Sequence, residues 1–397
     1  MSGACQVPTM RACTALNKQA NKPKLAEPWS RGGEADKRLG MGSESRMTRV
    51  ATTIPVRNVQ ALAARAAGEL TADDLQRYVR PDMERDAVLA GGEVPVVDLA
   101  RLLHPASLEE EAARLRLACQ EWGFFQLLNH GIPEEIIANI KRDIQGFFQL
   151  PLEVKSAYAQ RPGDLQGYGQ AYVLSNDQKL DWSDMFALIA QPHEARDMTF
   201  WPAQPSTFRK SLEDYSFELK KVSHSLVTAI GKTLNIGSEL LGDKYEIQLI
   251  RMNYYPPCMS IPEKVLGFSP HSDGSFLTIL LEVNSVEGLQ IRRQGAWVPV
   301  KPLPEALLVN VGDLLEIMSN GKYKSIEHRV TINAHKERLS ISAFNSPKLD
   351  AVVSPVTSSK TEKVLYKAVG VEEYVKHHLS NKLDGKTALD HAKVFQS

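Results

Sequence analysis

The sequence predicts an α+β protein, with a double-stranded β-helix (jelly-roll) core at residues 241–347 and flanking helices supplied by a mainly helical N-terminal region at 47–240. Three observations predict it. Between Tyr245 and Pro347 the apolar residues come in short, evenly spaced runs of strand length. Glycine-marked turns, Gln294-Gly295, Asn320-Gly321 and Val311-Gly312-Asp313, divide those runs. Upstream, apolar residues recur instead at spacings of three and four, the period of a helix with one buried face.

Residues 1–46 contain Pro, Gly, Ser and Lys without apolar periodicity, and are expected to be a disordered extension. Their first 26 residues carry Arg11, Lys18, Lys22 and Lys24 and no acid, a feature of organelle transit peptides. Serine is scarce, however, and Glu27, Glu34, Asp36 and Glu44 follow, so an extension ahead of a start at Met47 is the favoured reading, with targeting left open. In the helical region, Glu93 to Asp98 reads as a short strand, and Ser107-Leu108-Glu109-Glu110 as a capping box opening a helix that Gly123 ends. Pro133 starts the next helix, with Ile136, Ile140, Ile144 and Phe147 on its core face. The longest helix carries Phe208, Leu212, Tyr215, Leu219, Val222, Leu226, Ile230 and Leu234, a stripe suited to burial against a sheet.

Strands are expected at Gln248–Tyr254, Phe276–Val283, Leu289–Arg292, Trp297–Val300, Ala306–Val311, Leu314–Met318 and Arg338–Phe344. A C-terminal helical segment, 348–397, contains a final helix over Val371–Leu383. Adjacent residues point in different directions on a helix, so His377 and His378 are read as surface side chains. His104, His193, His224, His335 and His391 have no partners at ligand spacing and are read in the same way.

Composition excludes several classes. Forty-seven basic residues balance forty-seven acidic ones, which gives no electrostatic reason for a nucleic-acid partner. No apolar run reaches the ~18 residues of a membrane span. Four cysteines, without a Cys-x-x-Cys pair, make neither a disulfide framework nor a structural zinc site. A reducing, cytoplasmic setting fits, and a monomer is expected.

The chemistry concentrates in Pro270-His271-Ser272-Asp273, in His328, 55 positions after Asp273, and in Arg338-Leu339-Ser340. In an extended strand residues two apart share a face, so His271 and Asp273 can present an imidazole nitrogen and a carboxylate oxygen to one ion. His328 completes a set of two histidines and a carboxylate if a later strand lies opposite. Such a set leaves three adjacent positions of an octahedral ion open, as in non-haem Fe(II) oxygenases. Two can hold a chelating 2-oxo acid and the third O2. Arg338, ten residues after His328, offers a planar bidentate donor for the far carboxylate, and Ser340 shares its face. Zinc in a hydrolase is the competing reading, but no His-Glu-x-x-His helix is present and a hydrolase has no evident use for Arg338 and Ser340.

With these motifs, Asn253-Tyr254-Tyr255-Pro256-Pro257-Cys258, Glu121-Trp122-Gly123-Phe124-Phe125 and Asn129-His130-Gly131, the chain from about Val50 onward resembles the plant 2-oxoglutarate and Fe(II)-dependent dioxygenases. Gly167-Tyr168-Gly169-Gln170, Asp177 to Trp182 and Val286 to Ile291 are similar to the branch containing senescence-related proteins, codeine O-demethylase and norcoclaurine synthase-like members. The resemblance implies that His271, Asp273 and His328 bind Fe(2+), and that Arg338, Ser340, Asn253 and Tyr255 bind the co-substrate 2-oxoglutarate. It implies oxidative decarboxylation to succinate and CO2, coupled to hydroxylation, O-demethylation or desaturation of a small aromatic secondary metabolite such as a flavonoid, phenylpropanoid or alkaloid, with ascorbate keeping the iron reduced. Phe344, on the face of Arg338, is placed where relatives set a ring against substrate, and His130 is structural. Two departures, Gly274-Ser275-Phe276 where Ala-Thr-Gly is more usual and Asn345 where an aromatic is usual, are expected near the mouth of the cavity. The alternative, a non-catalytic ligand-binding or regulatory protein of the same fold, would be marked by a lost ligand or a lost Arg338; neither is missing.

Overall fold

Two β-sheets pack face to face and carry His271, His328, Arg338, Ser340, Asn253 and Tyr255. The computed structural model describes residues 53–65, 70–81, 83, 87–89, 92–236, 245–359 and 361–394, so the expected disorder of 1–46 lies outside the described residues. The major sheet has eight strands in the order β1-β2-β10-β7-β12-β5-β4-β3. These are β1 Val96–Asp98, β2 Phe124–Leu128, β3 Gly167–Gly169, β4 Asp184–Gln191, β5 Tyr245–Tyr255, β7 Leu277–Glu282, β10 Leu307–Val311 and β12 Arg338–Pro347. The minor sheet has the order β6-β11-β8-β9, formed by Leu266–His271, His328–Thr331, Leu289–Arg293 and Ala296–Pro299 respectively. All pairings but β1 with β2 are antiparallel.

Alternation explains how the sheets pack. On β12, Leu339, Ile341 and Ala343 join the large core beneath the helices, while Arg338, Ser342 and Phe344 face the space between the sheets. On β5, Ile250, Met252 and Tyr254 go to that core and Arg251, Asn253 and Tyr255 face inward. The helices that cover the outer face are Glu134–Gln149, which buries Ile140, Ile144 and Phe147, and Phe208–Thr233, which buries the whole expected stripe from Phe208 to Ile230. Between the sheets a second core, including Phe124, Tyr255, Phe268, Leu289, Ile291 and Val330, holds the two faces together.

Several expectations change. The expected strand within Glu93–Asp98 is present as β1, but the N-terminal region is less purely helical than its periodicity suggests, because β2, β3 and β4 are also strands of the major sheet. β2 and β4 are nearly continuous apolar runs, buried on both faces, and such runs carry no period to read. Leu314–Met318 is part of a helix, Asp313–Met318, with Gly312 at its N-cap instead of a turn between strands. The six residues are too few to declare a period, and all are buried. Ser107 does not form a capping box: its hydroxyl donates to the Arg101 carbonyl at 2.8 Å, and Glu110 pairs with Arg101 and Arg114. That helix, Leu108–Leu117, runs into a π-helical turn, Ala118–Trp122, and stops at Gly123 in the left-handed region. The helix expected over Val371–Leu383 covers Val371–Leu379, and a short helix, Thr387–Asp390, follows it. Asn345 is buried away from the cavity mouth, its amide donating to the carbonyls of Leu277 and Ala343.

Candidate active site

β6 and β11 pair with His271 directly opposite His328, which brings the two rings to a centroid distance of 4.1 Å. Asp273 lies two residues past the end of β6, in the loop and not on the strand as expected, and the loop still turns it toward both rings. The ligating atoms of His271, Asp273 and His328 all fall within 4.8 Å of one another, and all three residues are buried. Asp273 Oδ1 stands 3.4 Å from His271 Nε2 and 3.7 Å from His328 Nε2.

Hydrogen bonds behind each ligand fix which atom faces inward. His271 Nδ1 lies 2.8 Å from the Ser269 carbonyl and His328 Nδ1 lies 3.0 Å from that of Ile326. A carbonyl only accepts, so each Nδ1 carries the proton and each Nε2 presents its lone pair to the centre. Asp273 Oδ2 accepts from Thr278 Oγ1 and from Asn310 Nδ2, both at 2.7 Å, which leaves Oδ1 for an ion. Burial and the neighbouring His328 push the His271 pKa down to about 4, so its ring is neutral and free to coordinate. Burial pushes the Asp273 carboxyl up, but the His328 and His271 rings and Asn310 outweigh it and hold it well below the usual range. His271 Nε2 is buried without a hydrogen-bond partner, the condition expected of an atom waiting for a metal.

Next to this centre, the β12–β5 register places Arg338 opposite Tyr255 and Ser340 opposite Asn253. Arg338 is 2% exposed. One of its terminal nitrogens donates to Glu282, while Nε and Nη1 are buried without partners. Buried guanidinium donors left unpaired in a closed site leave hydrogen-bonding capacity that a ligand carboxylate can meet. Asn253 Nδ2 donates to Ser340 Oγ at 3.3 Å, and the Tyr255 ring lies under the guanidinium at 5.1 Å. His271, Asp273, His328, Arg338, Asn253, Tyr255 and Phe344 line one inner cavity. The donors present therefore fit Fe(II) and a 2-oxo dicarboxylate.

Two family models match in tandem, the 2OG-Fe(II) oxygenase superfamily over residues 246–347 and the non-haem dioxygenase in morphine synthesis N-terminal region over 94–204. Full-length relatives agree: the chain is 44% identical to 2-oxoglutarate-dependent dioxygenase 11 of Oryza sativa subsp. japonica over 87% of this chain and 98% of that protein. The chain belongs to the 2-oxoglutarate and Fe(II)-dependent oxygenases. It is 46% identical to S-norcoclaurine synthase 1 of Coptis japonica, over 88% of this chain and 99% of that one. Codeine O-demethylase of Papaver somniferum is 47% identical over 76% of this chain and 85% of its own length. Among solved structures, JOX2 in complex with 2OG, Fe and JA superposes with a TM-score of 0.77 at 33% identity, covering 86% of this chain and 98% of that one. The oxygenase is thus an oxidoreductase that uses Fe(2+) and 2-oxoglutarate. No helix among the described residues is long and apolar enough to cross a membrane.

Some residues of the site were missed. Asn310 is a lone polar residue in the apolar run Leu307 to Val311, and that interruption was its signal. Arg251 shares the alternating face of Asn253 and Tyr255 and could have been found by extending that face two residues. His378, expected at the surface, lines the outer cavity beside Asp273 and Gly274, because the Val371–Leu379 helix folds back over the loop that carries Asp273. Nothing local in the sequence announces that fold-back.

Proposed function

We propose that His271, Asp273 and His328 hold Fe(II) on one face, and that Arg338, Ser340, Asn253 and Tyr255 hold 2-oxoglutarate beside it. The observation that carries this reading is the convergence of three buried ligand atoms with the two unpartnered donors of Arg338 in one cavity. The bound metal and co-substrate supply the oxidising chemistry by decarboxylating 2-oxoglutarate to succinate with O2. The chain's own residues position and insulate. The Ser269 and Ile326 carbonyls hold the imidazole tautomers, Thr278 and Asn310 aim the carboxylate, and Arg338 sets the orientation of the co-substrate. The buried walls exclude water from the reacting centre.

The substrate of this reading is a small aromatic plant secondary metabolite. Relatives named for flavonoid and alkaloid demethylation support the class, as with flavonoid 7-O-demethylase 1 of Ocimum basilicum at 42% identity. Phe344 supports it from within, since its ring lies on the wall shared by the inner cavity and a larger outer one. Ascorbate as reductant, a cytoplasmic setting and a monomeric state belong to the same proposal. The buried free thiols of Cys119 and Cys258 are in keeping with a reducing compartment. The test is aerobic release of succinate from 2-oxoglutarate by the purified chain with Fe(II), across a panel of phenolic and alkaloid compounds. Stimulation by at least one aromatic compound is expected; no succinate under any condition would defeat the assignment.

A further inference from the structure

A third cavity, of 620 Å³, lies between the N-terminal half of the Glu134–Gln149 helix, the end of β7 and the loop that precedes β10. It shares no lining residue with the inner cavity, yet one ion pair links the two. Glu282, the last residue of β7, lines the third cavity, and its carboxylate accepts from Nη2 of Arg338, which lines the inner one. The other Glu282 oxygen is buried without a partner. Lys141, on the helix, lines the third cavity half-buried, and has no hydrogen bond or ion pair among the described residues. Burial pulls its pKa down, and the charge that opposes this is Glu282.

The end of β7 clasps Arg338 from several directions. Glu282 stands opposite Ser340 in the β12–β7 register. Two residues on, Asn284 Oδ1 accepts from the Leu339 backbone N–H at 3.0 Å and its Nδ2 donates to the Glu337 carbonyl at 2.9 Å, which fixes the backbone on both sides of Arg338. Gly288 leaves space for the arginine stem: a Cβ there would stand 3.0 Å from Arg338 Cδ and 2.9 Å from the Thr331 carbonyl oxygen. With the Tyr255 ring under the guanidinium and Glu282 on one of its terminal nitrogens, the planar group is held in one orientation. The arrangement has an electrostatic consequence. Arg338 and Glu282 form a neutral pair, so the far carboxylate of 2-oxoglutarate arrives beside a like charge at low dielectric. Glu134, Glu287 and Glu305 also line the third cavity but are exposed, where solvent and salt screen them.

We propose that Glu282 and Lys141 set the affinity for the co-substrate through Arg338: Glu282 holds the guanidinium in the orientation that receives the far carboxylate, and Lys141 offsets the negative charge that Glu282 places beside it. The inference rests on the co-substrate reading above and adds two positioning residues to it. Neither lines the inner cavity. With 2-oxoglutarate bound, cation and anion alternate across the wall, from Lys141 to Glu282 to Arg338 to the ligand, and the charges balance. Removing the Glu282 side chain has two opposed effects, since the guanidinium loses its holder and the ligand loses a like-charged neighbour. A glutamine at 282 separates them, because its amide oxygen still accepts from Arg338 Nη2 but carries no charge.

The test is calorimetric binding of 2-oxoglutarate to the full chain loaded with Fe(II), in the absence of O2. Glu282→Ala should weaken binding by about tenfold or more, the scale of a hydrogen bond to a charged group, whereas Glu282→Gln should bind as tightly as the parent chain or more so. Lys141→Met, which keeps a helix-forming stem, should weaken binding about two- to fivefold, the scale of a partly exposed ion pair. The same Lys141→Met change should have no effect in the Glu282→Gln background, because no charge is left there for the lysine to offset. A lysine that only supported the helix would lose the same factor in both backgrounds. Equal losses in both backgrounds, no loss in either, Glu282→Gln as weak as Glu282→Ala, or Glu282→Ala as tight as the parent chain would overturn the inference. Arg338→Lys in the same assay separates the two levels. If it weakens 2-oxoglutarate while the Glu282 and Lys141 variants depart from these outcomes, the inference alone falls; if it leaves binding unchanged, or the parent chain does not bind 2-oxoglutarate, the co-substrate reading beneath it falls.

Discussion

The inner and outer cavities share a wall at Arg251, Asp273 and Phe344, yet they are built by different means. The inner one is made by strands: β5, β6, β7, β10, β11 and β12 each contribute a side chain held at a fixed register. The outer one draws on β4, β5 and β12, but also on loops and on the Val371–Leu379 helix. Register between paired strands is rigid, because a slip of one residue would turn every side chain to the other face. Loops and a docked helix can change without that penalty. Strand register therefore fixes His271, His328 and Arg338, whereas Asp273 is held by the loop after β6.

The largest effects should come from the inner cavity. His271→Ala, Asp273→Ala and His328→Ala should each reduce succinate formation by more than ~100-fold, since removing a residue that only orients a ligand already costs about 10–100-fold. Retained turnover in any one of them, measured with saturating iron, would show that the strands do not hold the metal as described. Asn310→Ala tests the layer behind, because Asp273 Oδ2 would lose one of its two donors. Iron affinity should fall about 10–100-fold while the fold stays intact by circular dichroism.

Arg338→Lys keeps the charge but not the fork, so the apparent KM for 2-oxoglutarate should rise by about tenfold or more. An unchanged KM would remove Arg338 from the co-substrate cleft. On the shared wall, Phe344→Ala should weaken an aromatic substrate by only about two- to tenfold, the scale of an offset ring contact, and leave the KM for 2-oxoglutarate alone. A change in both constants would mean that the wall does not divide the cavities functionally.

The smallest effect on turnover belongs outside both cavities, where Asp184 on β4 accepts from the Val59 and Gln60 backbone N–H groups and so pins the first described helix, Val59–Ala63. Burial pushes its pKa up to about 6, with those donors and Lys155 opposing. A carboxyl whose folded pKa lies above its unfolded value makes the protein most stable below the unfolded value, and that stability is lost as pH rises through about 6. The loss is on the order of 2–3 kcal/mol. Relative to the parent chain, Asp184→Asn should therefore gain thermal stability as pH goes from 4 to 7. A constant difference in melting midpoint across that range would show that the carboxyl does not titrate as described.

The amino-acid sequence by itself determined which residues of β12 face the inner cavity. In β12 the alternation of Arg338, Ser340, Ser342 and Phe344 against Leu339, Ile341 and Ala343 is a local property, and a period of two needs no tertiary information to read. The same holds for Asn253 and Tyr255 on β5 and for the buried stripe of the Phe208–Thr233 helix. Where both faces are buried, as in β2, β4 and Asp313–Met318, no period survives, and the sequence left their type open or misstated it. Asp273 shows a middle case: its partnership with His271 was legible, but its place in a loop beyond β6 was not. Only the tertiary structure decided the partners that meet across long separations: Glu282 on Arg338, Asn310 on Asp273, and His378 against Gly274. Those contacts depend on where separate elements dock, which follows from the packing of the whole chain and not from the pattern within any one segment.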